Sequence, residues 1–256
     1  MPSKIDFNVS PYYDDYTDSK KFHRVMYRPA FAVQARELTT QQSITQNQIE
    51  KMGDHMFKHG AMVIPGEANY DLNYHAVKLT SFTGTLSLYA DNTLTGGTSG
   101  LVADVIAVVA TDGTDPDTLF VKYRNSGTDN VTIKFTDGET VTSGQTAAST
   151  AVVSTCATGS RATVDAGTYY INGFFVNVDT QSLTLDKYTN TPNYRVGLTI
   201  VENFVTSTGD TSLLDNATGS SNANATGAHR FKIDLTLTKL ALDSTADSSF
   251  VELFRL

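Results

Sequence analysis

His55 and His59 stand four residues apart in a stretch with helical character, the spacing at which two imidazoles on one helix face can hold a metal ion. No cysteine or well-placed carboxylate completes such a set. Asp54 would point to another face, and a cation near a helix C-terminus is favourable without any metal. Asp112, Asp115 and Asp117 bring carboxylates together as a calcium ion would need, but not at the spacing of an EF-hand loop. Asp-Gly and Asp-Pro are also ordinary turn chemistry. The 27 acids include no pair marked by spacing for glycan cleavage. The GxSxG, HExxH, P-loop and CxxC patterns are absent, as is a GxGxxG ahead of a helix. The sequence therefore predicts no catalytic, metal or cofactor site and no enzymatic activity.

Composition points to a β-rich protein. Charged residues make up 18% of the 256, against roughly 25% in an average domain. There is no Trp, and 12 Tyr with 13 Phe supply the bulky apolar groups. Thr, Tyr and Phe suit pleated, half-buried surfaces. A net charge of −8 argues against a nucleic-acid partner, which needs a basic surplus. Cys156 is the only cysteine, so no disulfide forms within the chain. The first ten residues do not read as a secretory signal, and the longest apolar run, 101–110, is too short to span a bilayer. Asn-x-Ser/Thr matches at Asn130, Asn216 and Asn224 are chance in a Thr-rich chain.

Residues 1–29 read as an extended arm that cannot bury itself. Phe7, Tyr12, Tyr13, Tyr16 and Phe22 are its expected docking anchors, on a neighbouring copy or another protein. Asp14, Asp15 and Asp18 suggest a basic rim on that partner. Residues 30–60 carry the one strong helical pattern. Within them Leu38, Gln42, Thr45, Ile49, Met52 and Met56 repeat at the four-three spacing of a coiled-coil seam. The seam is too polar for a good lone helix, and a homotrimeric bundle is the favoured reading. An amphipathic helix lying on its own β-domain is the alternative. Gly53 and Gly60 are expected to weaken and then end this helix.

From residue 61 onward the pattern is strands and turns. Strands are expected at 61–64, 72–79, 101–110, 119–123, 131–135, 182–185, 194–201 and 250–256, and residues 141–160 read as a linker or exposed edge. Asn172-Gly173 is a type I′ hairpin signal between 167–171 and 174–178. Residues 231–240 alternate with period 2. The predicted fold is mainly β with one N-terminal helix and two small antiparallel β-domains, a discontinuous one (61–80 plus 161–256) and an insert (81–160). The last strand has no stop signal, so the chain is expected to continue beyond Leu256.

Several stretches are specific enough to compare: residues 8–16 (NVSPYYDDY), 22–39 (FHRVMYRPAFAVQARELT), 46–50, 55–60, 169–176 (YYINGFFV), 187–192 and 227–233. Together they resemble the DUF4815-type structural proteins of tailed phages, common in myoviruses of cyanobacteria. The resemblance covers about the first 80 and the last 95 residues, with a looser match between. It implies a virion protein made in the host cytoplasm and placed where baseplate meets tail fibres. It would act as an oligomeric adaptor or fibre base, with baseplate and fibre proteins as partners and no membrane insertion. A glycan-binding receptor module and a glycan depolymerase are the rival readings.

Overall fold

A computed structural model describes residues 5–145, 149–245 and 247–256; residues 1–4 of the expected arm and 146–148 of the expected linker lie outside them. In the described residues the chain is mainly β with a single α-helix, α1 (Ala35–Met56). The strands that follow are β1 (Met62–Ile64), β2 (Ala68–Phe82), β3 (Thr93–Gly96), β4 (Val102–Val109), β5 (Thr118–Tyr123), β6 (Thr140–Ser143) and β7 (Thr150–Val164). They continue with β8 (Gly167–Ile171), β9 (Phe174–Val178), β10 (Gln181–Asp186), β11 (Tyr194–Val205), β12 (Arg230–Ala241) and β13 (Phe250–Arg255).

The chain forms two compact units, and the division differs from the one read in the sequence. One unit gathers the chain up to Ala68 with Val164–Gln181 and Arg195–Phe254; the other holds Asn69–Thr163 with Ser182–Tyr194 and Arg255–Leu256. The insert therefore begins near residue 69, not 81. The reason is β2, whose residues 75–78 pair with 118–121 of β5 inside the second unit. Arm and helix are part of the first unit rather than separate segments.

In the second unit the strands are hydrogen-bonded in the order β10-β7-β2-β5-β4-β3-β6, and β6 pairs back to β7. The strands from β2 to β7 thus close into a ring, which removes exposed edges among them. Val77, Leu94, Val105, Leu119, Val121, Val141 and Val153 pack together as its core. The segment expected to be a linker supplies β6 and β7. Its Thr, Ser, Ala and Val residues alternate in burial, and Ala151 and Val153 are inside. The strand expected at 131–135 is a loop instead. Asp129 accepts from the amides of Val131 and Thr132, leaving Val131 and Ile133 exposed, while Phe135 is buried in the core.

The first unit contains two three-stranded sheets, β1-β8-β9 and β12-β11-β13. The Asn-Gly turn forms as its type requires: Asn172 has φ 49° and Gly173 φ 85°, with Ile171 opposite Phe174. Phe174 of β9 meets Phe231 of β12 at 5.5 Å between ring centroids.

Candidate interaction surface

Helix α1 starts later than its composition suggests because Gln34 caps it: the Gln34 amide donates to the Glu37 carboxylate at 2.9 Å. One face then turns inward, with Ser43, Ile44, Asn47 and Gly53 buried. This face rests on the β8–β9 hairpin. The Tyr170 hydroxyl donates to the Glu50 carbonyl (2.9 Å) and to Asp54 Oδ1 (2.7 Å), and Gln46 Nε2 donates to the Gly173 carbonyl at 2.7 Å. Gly53 sits against the Tyr170 ring, where a Cβ would lie 2.5 Å from Cε2. It is a close-approach residue; the helix runs past it to Met56 and ends at Phe57, short of Gly60.

Most of the seam faces away from that hairpin, although Leu38 and Gln42 at its start also border the cleft described below. Leu38 is 51% exposed, Ile49 43%, Met52 67% and Met56 60%, and Gln42 and Thr45 are exposed with them. At 100° per residue these positions centre roughly opposite Ser43 and Asn47. The helix therefore does lie on its own β-structure, but by a face other than its apolar seam. The expected choice between bundle and self-packing was not exclusive.

The arm corrects the sequence reading more strongly. Phe7 packs between Phe204 (5.9 Å) and Phe231 (5.1 Å), edge-on to both. Tyr12 lies 4.8 Å from Phe204, and its hydroxyl shares a 2.6 Å hydrogen bond with His229 Nδ1. Tyr16 is buried, whereas Tyr13 and Phe22 stay exposed. Phe7, Tyr12 and Tyr16 are thus engaged within the same chain. The acids are also satisfied internally. Buried Asp14 accepts from Thr40 (3.0 Å) and Ser43 hydroxyls, Asp15 pairs with Lys20 at 3.0 Å and Asp18 with Lys51 at 2.7 Å. A local pattern cannot reveal this, because the receiving groove is built from residues about 200 positions away in sequence (|i−j| = 217 for Tyr12 and His229).

Arm, helix and the β11–β12 pair enclose a cleft of about 910 Å³. Phe7, Tyr12, Phe174, Phe204 and Phe231 supply aromatic wall, and Gln42, Gln46, Glu50, His229 and Arg230 supply polar groups. Burial, with Asp54 nearby, pushes the Glu50 carboxyl above the usual carboxylate range. The sequence marked Phe7, Tyr12 and Gln42 as interaction residues; Gln46, Glu50, Phe174, His229, Arg230 and Phe231 entered only as members of the motif stretches, with no role assigned, and Phe204 was not marked.

The other candidates separate. His59 lies beyond the end of α1 and accepts from the Asn172 amide at 3.3 Å, so it does not share a helix face with His55. Asp112 and Asp115 are both bound by Lys187 Nζ at 2.8 Å. The Asp115 amide and then the Lys187 ammonium hold the Asp112 carboxyl well below its usual range. Among the described residues no group of His, Cys, Asp or Glu is arranged to hold a metal. No helix there is long and apolar enough to cross a membrane.

A family model described as a domain of unknown function, DUF4815, matches residues 10–103 and 121–256. The chain belongs to the DUF4815 family. The match takes in most of the middle of this DUF4815 chain, which the sequence reading had as only loosely similar, and omits 104–120, the region of the β4–β5 hairpin. No curated protein and no solved structure matches it.

Proposed function

We propose that this DUF4815 protein is a structural, non-catalytic subunit that assembles with copies of itself through the exposed stripe of α1. The observation that carries the reading is the stripe itself: Leu38, Gln42, Thr45, Ile49, Met52 and Met56 are all exposed, while Ser43, Ile44, Asn47 and Gly53 are the helix residues buried in its own unit. It runs for about 27 Å at 1.5 Å per residue. Apolar side chains at a and d positions gain by facing their own copies, and Gln and Thr there can bond across an axis. A homotrimer is the assembly this reading favours. The setting we propose, a tailed-phage virion in which the subunit joins baseplate to tail fibres, is supported by the motif resemblance at 8–16, 22–39 and 169–176. Light scattering at micromolar concentration tests the assembly. Three chains are expected, falling to one in Ile49→Asp or Met52→Asp with circular dichroism unchanged, since both positions are exposed. A wild-type chain that is single in solution and also single in purified virions refutes it.

A second reading, a glycan-binding module, is favoured by the cleft. Aromatic rings beside amide, carboxylate and guanidinium groups suit a sugar, whose faces are apolar and whose edges are hydroxyls. Titration of host polysaccharide by NMR is expected to broaden the Tyr12 and Phe204 signals; no perturbation there rejects it.

A further inference from the structure

Residues 19–36 hold Lys20, Lys21, Arg24, Arg28 and Arg36 and no acid, which leaves 14 cations against 27 acids in the rest of the chain. Residues 22–28 are neither helix, strand nor turn, and their amides donate to no other backbone among the described residues. The segment is exposed almost throughout. Val25 alone of 22–28 is half-buried, the Tyr27 hydroxyl donates to Gln41 at 2.8 Å, and Phe22, Arg24, Met26 (73%) and Arg28 are exposed. Lys20 is paired with Asp15 and Arg28 lies over the Phe31 ring, which leaves Lys21 and Arg24 as the most open of its cations. Pro29 holds Arg28 in the extended region.

A backbone whose amides donate to no other backbone, carrying exposed cationic and apolar groups, is complementary to an acidic surface with apolar spots. We propose that residues 19–36 form a basic strap that docks on the acidic surface of a second copy of this chain. The inference rests on the self-assembly reading above and adds a second contact to it. Charge decides the occupant. A nucleic acid or an anionic membrane would meet the strap together with the surplus acids of the chain that bears it. A second copy supplies acids to one strap and receives a strap in return, so reciprocal docking lowers the repulsion between like-charged subunits. The strap also runs directly into the start of α1, so it leaves the helix at the end where Leu38 opens the stripe.

The test uses the full chain with benzoylphenylalanine introduced at Met26, irradiated in an equal mixture of ¹⁴N- and ¹⁵N-labelled protein. Mass spectrometry then separates links within a copy from links between copies. Links between copies to Asp- or Glu-containing peptides are expected. They should fall about tenfold in the Arg24→Glu/Arg28→Glu variant, and similarly in about 1 M salt, where the screening length is about 3 Å. Links confined to one copy, or unchanged by charge reversal, overturn the strap. So does retention of a single-stranded oligonucleotide or of phosphatidylserine vesicles without links between copies. Light scattering on the same samples separates the two ideas: a multimer whose links stay within copies leaves the helix reading standing and removes the strap, whereas a single-chain mass without links between copies removes both.

Discussion

Replacing Gly53 with alanine should destabilise the protein, although alanine is the better helix former by about 1 kcal/mol. The added methyl would lie 2.5 Å from Tyr170 Cε2, 2.6 Å from Cζ and 2.7 Å from the hydroxyl oxygen. Non-bonded carbons and oxygens prefer about 3.5–4.0 Å, so ring or helix has to move by about 1 Å. The ring is 1% exposed, so it cannot swing out into solvent without disturbing its neighbours. Its hydroxyl is also fixed by the bonds to the Glu50 carbonyl and the Asp54 carboxylate. Overpacking of this kind costs about 1–3 kcal/mol, and stretching two hydrogen bonds adds about 1–3 kcal/mol. After the gain in helix propensity the expected net loss is about 3 kcal/mol. Urea unfolding followed at 222 nm reads it, because α1 is the only α-helix among the described residues. The cost should shrink by more than 1 kcal/mol when Tyr170 is already leucine, a coupling that a double-mutant cycle isolates. A Gly53→Ala protein as stable as wild type would show that the ring contact does not constrain the helix.

Three further outcomes follow from other contacts. Glu139 accepts from the amides of Thr98 (3.1 Å), Ser99 (3.0 Å) and Thr136 (2.6 Å), and Glu139→Gln, with one acceptor oxygen in place of two, should cost about 2 kcal/mol by denaturant titration. The Glu50 carboxyl is raised by burial, so the folded chain holds its proton more tightly than the unfolded one, and ionisation lowers stability as pH rises through the raised value. Glu50→Gln should therefore raise Tm at pH 8 relative to wild type, with the gain fading toward pH 4; a constant offset would contradict this. Finally, joining residue 68 to 164 through a short Gly/Ser linker should keep the helical circular dichroism of the first unit, since the Asp165 amide already donates to the Glu67 carbonyl at 2.8 Å.

Legibility of the fold depended on how local each signal was. The β8–β9 hairpin was readable because Asn172 and Gly173 adopt positive φ, which few residue pairs tolerate. Strand β12 was readable because Phe231, Ile233, Leu235 and Leu237 occupy every second position of its first eight residues. Strands β6 and β7 were hidden: Thr, Ser, Ala and Gly at both inward and outward positions give little contrast, and only ring closure decides which side is buried. The seam of α1 was legible as a periodicity, but its exposure was not, because of the four buried helix residues only Ile44 is a large apolar one, the others being Ser43, Asn47 and Gly53. The arm was misread for a different reason. Its aromatics did announce a groove, yet nothing near them in sequence tells whether that groove belongs to the same chain.

The meeting of Glu67 and Asp165 carries a consequence for heredity. A ring-closed unit that leaves and rejoins its host at neighbouring backbone positions can be exchanged by recombination without altering the distance the host must span. Strand β10 sets the limit on such exchange. It follows the first unit's hairpin in sequence, yet it is hydrogen-bonded to β7. A foreign replacement for 69–163 would have to offer β10 an edge with the same register, so sequence drift in β7 and β10 is expected to be correlated.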